Sequence, residues 1–299
     1  MSGVALADRS ELEFRPSDLD ASIEQLGSEG FCIVRNALGR TDIARIAREL
    51  EPAFQSTAFS QGLFYGERTV RFGRLLARSP ATAKMVASPS VLGVVERVLG
   101  RWHRQIHLSF TQAIAVHPGA RMQAPHRDEE MWPCVKEDAE YLINVIWPLD
   151  TFTPQNGATR LWPGSNRGMG RPPAEPICAS AEPGDALVFL GSTLHAGGPN
   201  VTRNPRRALV FGYSAAWLTP SENPILACPP DVARTLPREV AELAGYRRVA
   251  PNLNNFDCRC PSEVLTGSPM ADGAVDELRR EDEQALEQYF AHLELAEAS

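Results

Sequence analysis

The sequence predicts a mainly β fold with flanking helices, its core a sandwich or barrel, and three features carry that expectation. Short β-rich segments separated by Gly, Pro and Asn turns fill residues 105–220, helical spacing dominates before them, and a charged helical tail follows. In the N-terminal part, about residues 15–100, SDLDASIEQLGS has helical spacing, and Gly30 punctuates before the β-rich run FCIVRNAL. Thr41 is the expected N-cap of DIARIARELEPAF, whose Ile43, Ile46, Ala47 and Leu50 share one face. PSVLGVVERVLG reads as a helix opened by Pro89 and stopped at Gly100. One strand among helices is therefore expected in this part. The segments IHLSFTQAIAVHPGA, YLINVIWPL, GATRLWPG, DALVFLG and RRALVFGYSAAW then recur as strands of an antiparallel sandwich or barrel do, without the intervening helices of a parallel sheet. Residues 221–299 form an extension ending in a charged helix, with Leu278, Leu286, Tyr289 and Leu293 at roughly helical spacing. Capping of the barrel is its expected use, with homodimer formation as the other. One domain over residues 1–299 accommodates all of these parts.

Bulk properties exclude several classes of function. Thirty Lys and Arg against 37 Asp and Glu leave a formal charge of −7, with no clustered basic face for nucleic acid. No run approaches the roughly 18 apolar residues of a membrane span. The opening MSGVALADRSELEF lacks the basic and apolar regions of a secretory signal, so a cytoplasmic location is expected. Cys32, Cys134, Cys178, Cys228, Cys258 and Cys260 are too dispersed for a disulfide framework. Cys258 and Cys260 form a lone C-x-C, which is short of the four ligands of a structural zinc site; reduced thiols are expected.

Two segments hold candidate metal ligands. In QAPHRDEEMW, His126 and Asp128 stand two apart, so on a strand both would point to one face. In PGDALVFLGSTLHAGGPN, a Pro-Gly-Asp turn launches an apolar strand ending near His195, which a later antiparallel strand could bring beside the first pair. Two imidazoles and one carboxylate make the facial set of non-haem Fe(II) oxygenases, which leaves positions open for a cosubstrate and oxygen. H-x-D alone is a common coincidence. The triplet HRD also occurs in kinase catalytic loops, but the following EEMWP, and the lack of the other kinase motifs, exclude that reading. Arg206, eleven residues beyond His195, opens the next strand and is suited to a bidentate carboxylate; strand alternation allows only one of Arg206 and Arg207 to face the same pocket.

The ordered set PHRDEEMW, NGATRLWPGSNRG, PGDALVFLGSTLHAGGPN and NPRRALVFGY resembles the phytanoyl-CoA dioxygenase (PhyH-like) family of Fe(II)/2-oxoglutarate oxygenases, and LGSEGFCIVRNAL extends the likeness over most of residues 20–220. The resemblance implies a double-stranded β-helix (jelly-roll) core at about 105–220, with His126, Asp128 and His195 as iron ligands and Arg206 on the 2-oxoglutarate carboxylate. It also places Gln123, Thr159 and, by a looser match, Arg71 near 2-oxoglutarate. The family's PGSH is PGSN here, with Asn166 in place of a histidine that is not a ligand. The implied reaction uses Fe(II), 2-oxoglutarate and O2, releases succinate and CO2, and oxidises a C–H bond of a small-molecule substrate. Asp128 stands where halogenases of this kind carry a small residue, which favours hydroxylation, although desaturation, epimerisation and ring formation use the same ligands. Met131, Trp132, Phe64, Tyr65, Phe72 and Trp217 are the candidate lining of a substrate pocket. No cluster of charges suggests a CoA-phosphate site, so a small, fairly apolar substrate is expected. His103, His107, His117 and His292 have ordinary structural readings. A cupin-like binding protein without turnover, or a metal-dependent isomerase or hydrolase, are the readings from other classes.

Overall fold

A computed structural model describes residues 16–133, 138–167, 175–278 and 280–297; Cys134 lies outside them. The chain opens with α1 (Pro16–Glu29), β1 (Phe31–Val34) and α2 (Arg40–Ser56). Gly30 turns between α1 and β1 at φ +86°, a left-handed conformation that glycine adopts without strain. Helix α2 starts at Arg40 with Gly39 as its N-cap, so Thr41 lies inside the first turn and is not the cap the sequence suggested. Its Ile43, Ile46, Leu50 and Phe54 are the buried face.

A second early strand, β2 (Thr69–Phe72), departs from the single strand expected here. Four residues preceded by a turn-rich loop give too short a pattern to stand out, and pairing with the next strand creates it. After it come α3 (Leu75–Arg78), α4 (Ala83–Val86) and α5 (Pro89–Leu99), the last capped by Gly100 as its sequence suggests. Strands β3 (Ile106–Val116), β4 (Leu142–Pro148), β5 (Thr159–Leu161), β6 (Ile177–Cys178), β7 (Ala186–Leu190), β8 (His195–Gly197) and β9 (Arg206–Ala215) follow.

The strands form two antiparallel sheets. The larger has the order β1-β7-β4-β9-β3-β2, and the smaller the order β6-β5-β8. Both edges of the larger sheet thus come from the N-terminal part, outside the 105–220 segment expected to hold the core. Strand alternation sorts the central strands into two cores. Ile143, Val145 and Trp147 of β4, with Leu209, Phe211 and Tyr213 of β9, pack with Ile43, Ile46, Leu50, Val91 and Val95 of the helices. Ile146, Ala208, Val210, Leu187 and Phe189 point the other way and meet Leu161 of the smaller sheet. Because both faces are covered, these strands read as continuous apolar runs.

The extension adds α6 (Pro224–Ala227), α7 (Pro230–Ala233), α8 (Arg238–Leu243) and α9 (Arg280–Glu297). Buried Arg248 organises the part before α9: its guanidinium donates to the backbone oxygens of Cys258 and Val275. Cys258 and Cys260 are free thiols, and Cys260 Sγ accepts from the Arg248 amide and the Ser262 hydroxyl. The expected capping by the terminal helix is not what forms. Leu286, Tyr289, Phe290 and Leu293 stay 41–57% exposed, a stripe too narrow among Glu281, Glu283 and Glu287 to seal a barrel end. No helix among the described residues is long and apolar enough to cross a membrane.

Candidate metal centre and its cavity

His126 and His195 form an isolated antiparallel bridge, each backbone amide donating to the other's carbonyl at 3.0 Å. Their rings lie 4.3 Å apart between centroids. His126 Nδ1 is 2.8 Å from the oxygen of Ala124, and His195 Nδ1 is 3.1 Å from that of Thr193. A carbonyl must accept, so both Nδ1 atoms carry a proton and Nε2 is the nitrogen each ring can offer to a metal in its neutral form. Those Nε2 atoms face Asp128, at 3.3 Å from Oδ1 for His126 and 3.5 Å from Oδ2 for His195. All three offer ligand atoms within 4.8 Å of one another.

The parity argument for H-x-D needs one correction. His126 is in a β-bridge, but Asp128 begins a 3-10 turn, Asp128–Met131, so the carboxylate reaches the centre from a turn and not along a strand. The intervening Arg127 does point away, donating to the backbone oxygens of Ser192 and Ser165.

Burial alone would raise the Asp128 carboxyl, but the facing His195 and His126, with a hydrogen bond from Asn144, hold it below the usual carboxylate range. Burial pushes His195 down against the pull of Asp128, which keeps its imidazole neutral. At His126 burial acts in the same direction, but the hydrogen bond and charge of Asp128 outweigh it, and its pKa rises. A carboxylate between two imidazoles with inward lone pairs is a donor set that fits Fe(II).

Beside this set lies a cavity of about 360 Å³. Two arginines, buried Arg206 and half-buried Arg71, enter it from strands on either side of β3: Arg71 of β2 pairs in register with Ile114, and Arg206 of β9 with Val116. Arg206 is 4% exposed, lies 4.3 Å over the Phe152 ring and donates to the Gly157 carbonyl. Burial, aided by nearby Arg71, pushes it down to about 10, which still leaves a cation at neutral pH. Arg71 lies 4.9 Å over the Tyr65 ring and donates to Gln112 Oε1 at 2.8 Å. Neither guanidinium is paired with a carboxylate, and the Nε of each is buried without a partner among the described residues. Arg207 projects to the other face and binds Asp150 and Glu51.

Gln123 and Thr159 also line the cavity, where Gln123 Oε1 accepts from the Gly197 amide at 3.2 Å. Phe64, Tyr65 and Met131 stand at its mouth, and Phe64 meets the His126 ring edge-on at 4.8 Å. The other three expected pocket residues are elsewhere. Phe72 is buried against Phe54, because alternation on β2 sends it away from Arg71. Trp132 ends the turn after Asp128 and donates to the Thr219 carbonyl. Trp217 packs with His103 and Tyr141.

Several cavity residues had gone unnoticed. Gln112 could have been found by counting alternate positions along β3, but Glu222 follows β9 in irregular chain and carries no local signal. Glu222 accepts from the backbone amides of Arg74 and Thr111 and from the Thr111 hydroxyl, tying the extension across the cavity rim. Asn144 and Phe189 support the ligands: Asn144 binds Asp128, and Phe189 lies 4.6 Å from the His195 ring.

A family model described as phytanoyl-CoA dioxygenase (PhyH) matches residues 27–208, more than half the chain, and spans both arginines and all three metal-centre residues. The chain belongs to the PhyH family. Among curated relatives, dioxygenase aneA of Aspergillus aculeatus is 29% identical over 240 residues, covering 74% of this chain and 77% of that protein. Multifunctional dioxygenase ausE of Emericella nidulans is 29% identical over 242 residues, covering 73% and 80%. Solved structures share the fold. The α-ketoglutarate-dependent epimerase SnoN from nogalamycin biosynthesis superimposes with a TM-score of 0.57 at 17% identity, over 68% of this chain and 85% of that one. HygX from Streptomyces hygroscopicus, solved with nickel and 2-oxoglutarate, gives 0.55 at 16% identity, over 68% and 89%.

Proposed function

We propose that this PhyH-family chain is an Fe(II)/2-oxoglutarate-dependent dioxygenase that hydroxylates an unactivated C–H bond of a small, fairly apolar metabolite. The two antiparallel sheets around the cavity are then the double-stranded β-helix of such enzymes. One observation carries the reading: buried Arg206 and half-buried Arg71, neither with a carboxylate partner among the described residues, share a cavity with a His-Asp-His set. Buried cations are costly when unpaired, so the cavity calls for an anion. A dicarboxylate that binds iron at one end and a guanidinium at the other meets that demand.

His126, Asp128 and His195 would hold the metal. Bound Fe(II) supplies oxygen activation coupled to decarboxylation of 2-oxoglutarate to succinate and CO2. Arg206 would take the distal carboxylate, with Thr159, Gln123 and Arg71 completing the cosubstrate pocket. Phe64, Tyr65 and Met131 would seat the apolar body of the substrate and keep water from the metal. Asp128 supports oxygenation over halogenation, since its carboxylate occupies the position a halide would need. SnoN is an epimerase and the similar SnoK a carbocyclase, so the same scaffold also serves those outcomes.

The test is anaerobic addition of Fe(II) and 2-oxoglutarate, followed by a screen of candidate metabolites for succinate release. A weak visible charge-transfer band and substrate-stimulated succinate are expected. A folded, iron-loaded protein without the band would overturn the cofactor assignment, and a cupin-like binding protein would give no succinate with any substrate.

A further inference from the structure

The metal centre has an unequal framework. Each histidine is fixed twice, by the backbone bridge between residues 126 and 195 and by a carbonyl at Nδ1. Aromatic rings back both imidazoles, Phe64 on His126 and Phe189 on His195. Asp128 has none of these supports. It begins a single 3-10 turn, and apart from the two imidazoles its carboxylate has, among the described residues, one side-chain hydrogen bond, from Asn144 Nδ2 to Oδ2 at 3.0 Å.

Asn144 is an anomaly on its strand. β4 reads LINVIWP, all seven positions are buried, and Asn144 is its one side chain with an amide, fully inaccessible to solvent. The neighbours Ile143 and Val145 join the helix-facing core, so Asn144 takes the inward face, in register with Phe189 on one side and Gly212 on the other. Its Oδ1 is buried with no hydrogen-bond partner among the described residues. An unmet buried acceptor costs stability, and a branched apolar residue would suit the strand better. What the amide provides in return is the contact with Asp128.

We propose that Asn144 is a positioning residue that fixes the rotamer of Asp128, engaging Oδ2 and so holding the carboxylate between the two inward-facing imidazoles. This rests on the reading of the three residues as an iron site. Partners of metal-ligating side chains commonly set affinity in this way, and their loss costs about 10–100-fold. Asn144 touches neither cosubstrate nor reacting atoms; it acts through Asp128.

The experiment compares Asn144→Leu and Asn144→Ala with wild type for anaerobic Fe(II) affinity, the Co(II) ligand-field spectrum and the position of the Fe(II)/2-oxoglutarate band. Val145→Ala, on the opposite face of the same strand, serves as the packing control. Both Asn144 variants are expected to lose about 10–100-fold in Fe(II) affinity with a shifted Co(II) spectrum. The Leu variant should match or exceed the wild-type melting temperature without metal. Val145→Ala should lower that temperature and leave affinity and spectra unchanged. A folded Asn144→Leu or Asn144→Ala protein with wild-type affinity and an unmoved spectrum overturns the proposal. Failure of wild type to bind Fe(II) would instead remove the reading on which it rests.

Discussion

Arg206 and Arg207 are consecutive on β9, yet their guanidinium groups lie on opposite faces of the larger sheet. Arg206 stacks on Phe152 inside the cavity, while Arg207 makes ion pairs with Asp150 and Glu51 outside it. Substitutions at the two should therefore separate function from stability. Arg206→Met should raise the 2-oxoglutarate dissociation constant at least about tenfold, the scale of one charge-assisted contact, without lowering the melting temperature, since it removes an unpaired buried charge. Arg207→Ala should leave 2-oxoglutarate binding unchanged and cost about 0.5–1 kcal/mol, because its pairs are partly solvated. Titration of the charge-transfer band and thermal unfolding measure both. Normal 2-oxoglutarate affinity in Arg206→Met would move the carboxylate site elsewhere.

Gly212 should matter for the substrate and not for the cosubstrate. A Cβ there would be driven into the ring of Phe110, its register partner on β3, so Gly212→Ala must displace that ring, which lines the cavity. We expect 2-oxoglutarate affinity within about twofold of wild type, and at least a tenfold loss of kcat/KM, worth about 1.4 kcal/mol, on any substrate found by succinate release. Equal losses in both would show that Phe110 does not separate the two sites.

His107 predicts a pH dependence of folding that is independent of the metal. Burial, with Arg247 nearby, pushes its imidazole down to about 4, and the neutral ring is hydrogen-bonded to the Ser214 hydroxyl at 2.8 Å. The folded pKa lies below the unfolded one, about 6.5, so the unfolded chain binds more protons as pH falls. The stabilisation is present above pH 6.5 and is lost between about 6.5 and 4, amounting to roughly 3 kcal/mol at most. His107→Gln should flatten this part of the stability curve. Denaturant unfolding of both proteins across that range is the measurement, and parallel curves would assign the acid loss to other groups.

Metal analysis should find one iron per chain. The three-residue centre is the one group of metal-ligating side chains close enough together among the described residues, and Cys258 and Cys260 are not part of it. Asp128→Ala should abolish iron retention, while Cys258→Ser should change neither iron content nor zinc content. Zinc lost on Cys258→Ser would instead establish a second site in the extension.

Much of this molecule was legible before any coordinates. Strands β3, β4, β5, β7 and β9 and the helix between Pro89 and Gly100 announced themselves through turn residues and apolar runs, whereas the two- and three-residue strands β6 and β8 did not. His126, Asp128, His195 and Arg206 stood out through the company of motifs in which they occur, since H-x-D alone is a common coincidence. β2 did not, because four residues carry little pattern, and with it the place of Arg71 rested on likeness alone. Three of the six expected pocket residues, Phe72, Trp132 and Trp217, lie away from the cavity. Proximity in sequence does not say which face a side chain takes, and Phe72 is one residue from Arg71 but on the opposite side.

By itself, then, the sequence singled out the candidate donor set through its ordered motifs, and local periodicity dictated the alternation on β9 that separates Arg206 from Arg207. Only the tertiary structure decided that Arg71 and Arg206 share one cavity, that Asp128 enters from a turn, and that Asn144 of β4 meets it there. These are contacts between strands far apart in the chain. They follow from which edges pair and which faces close over one another, and no local run of residues encodes them.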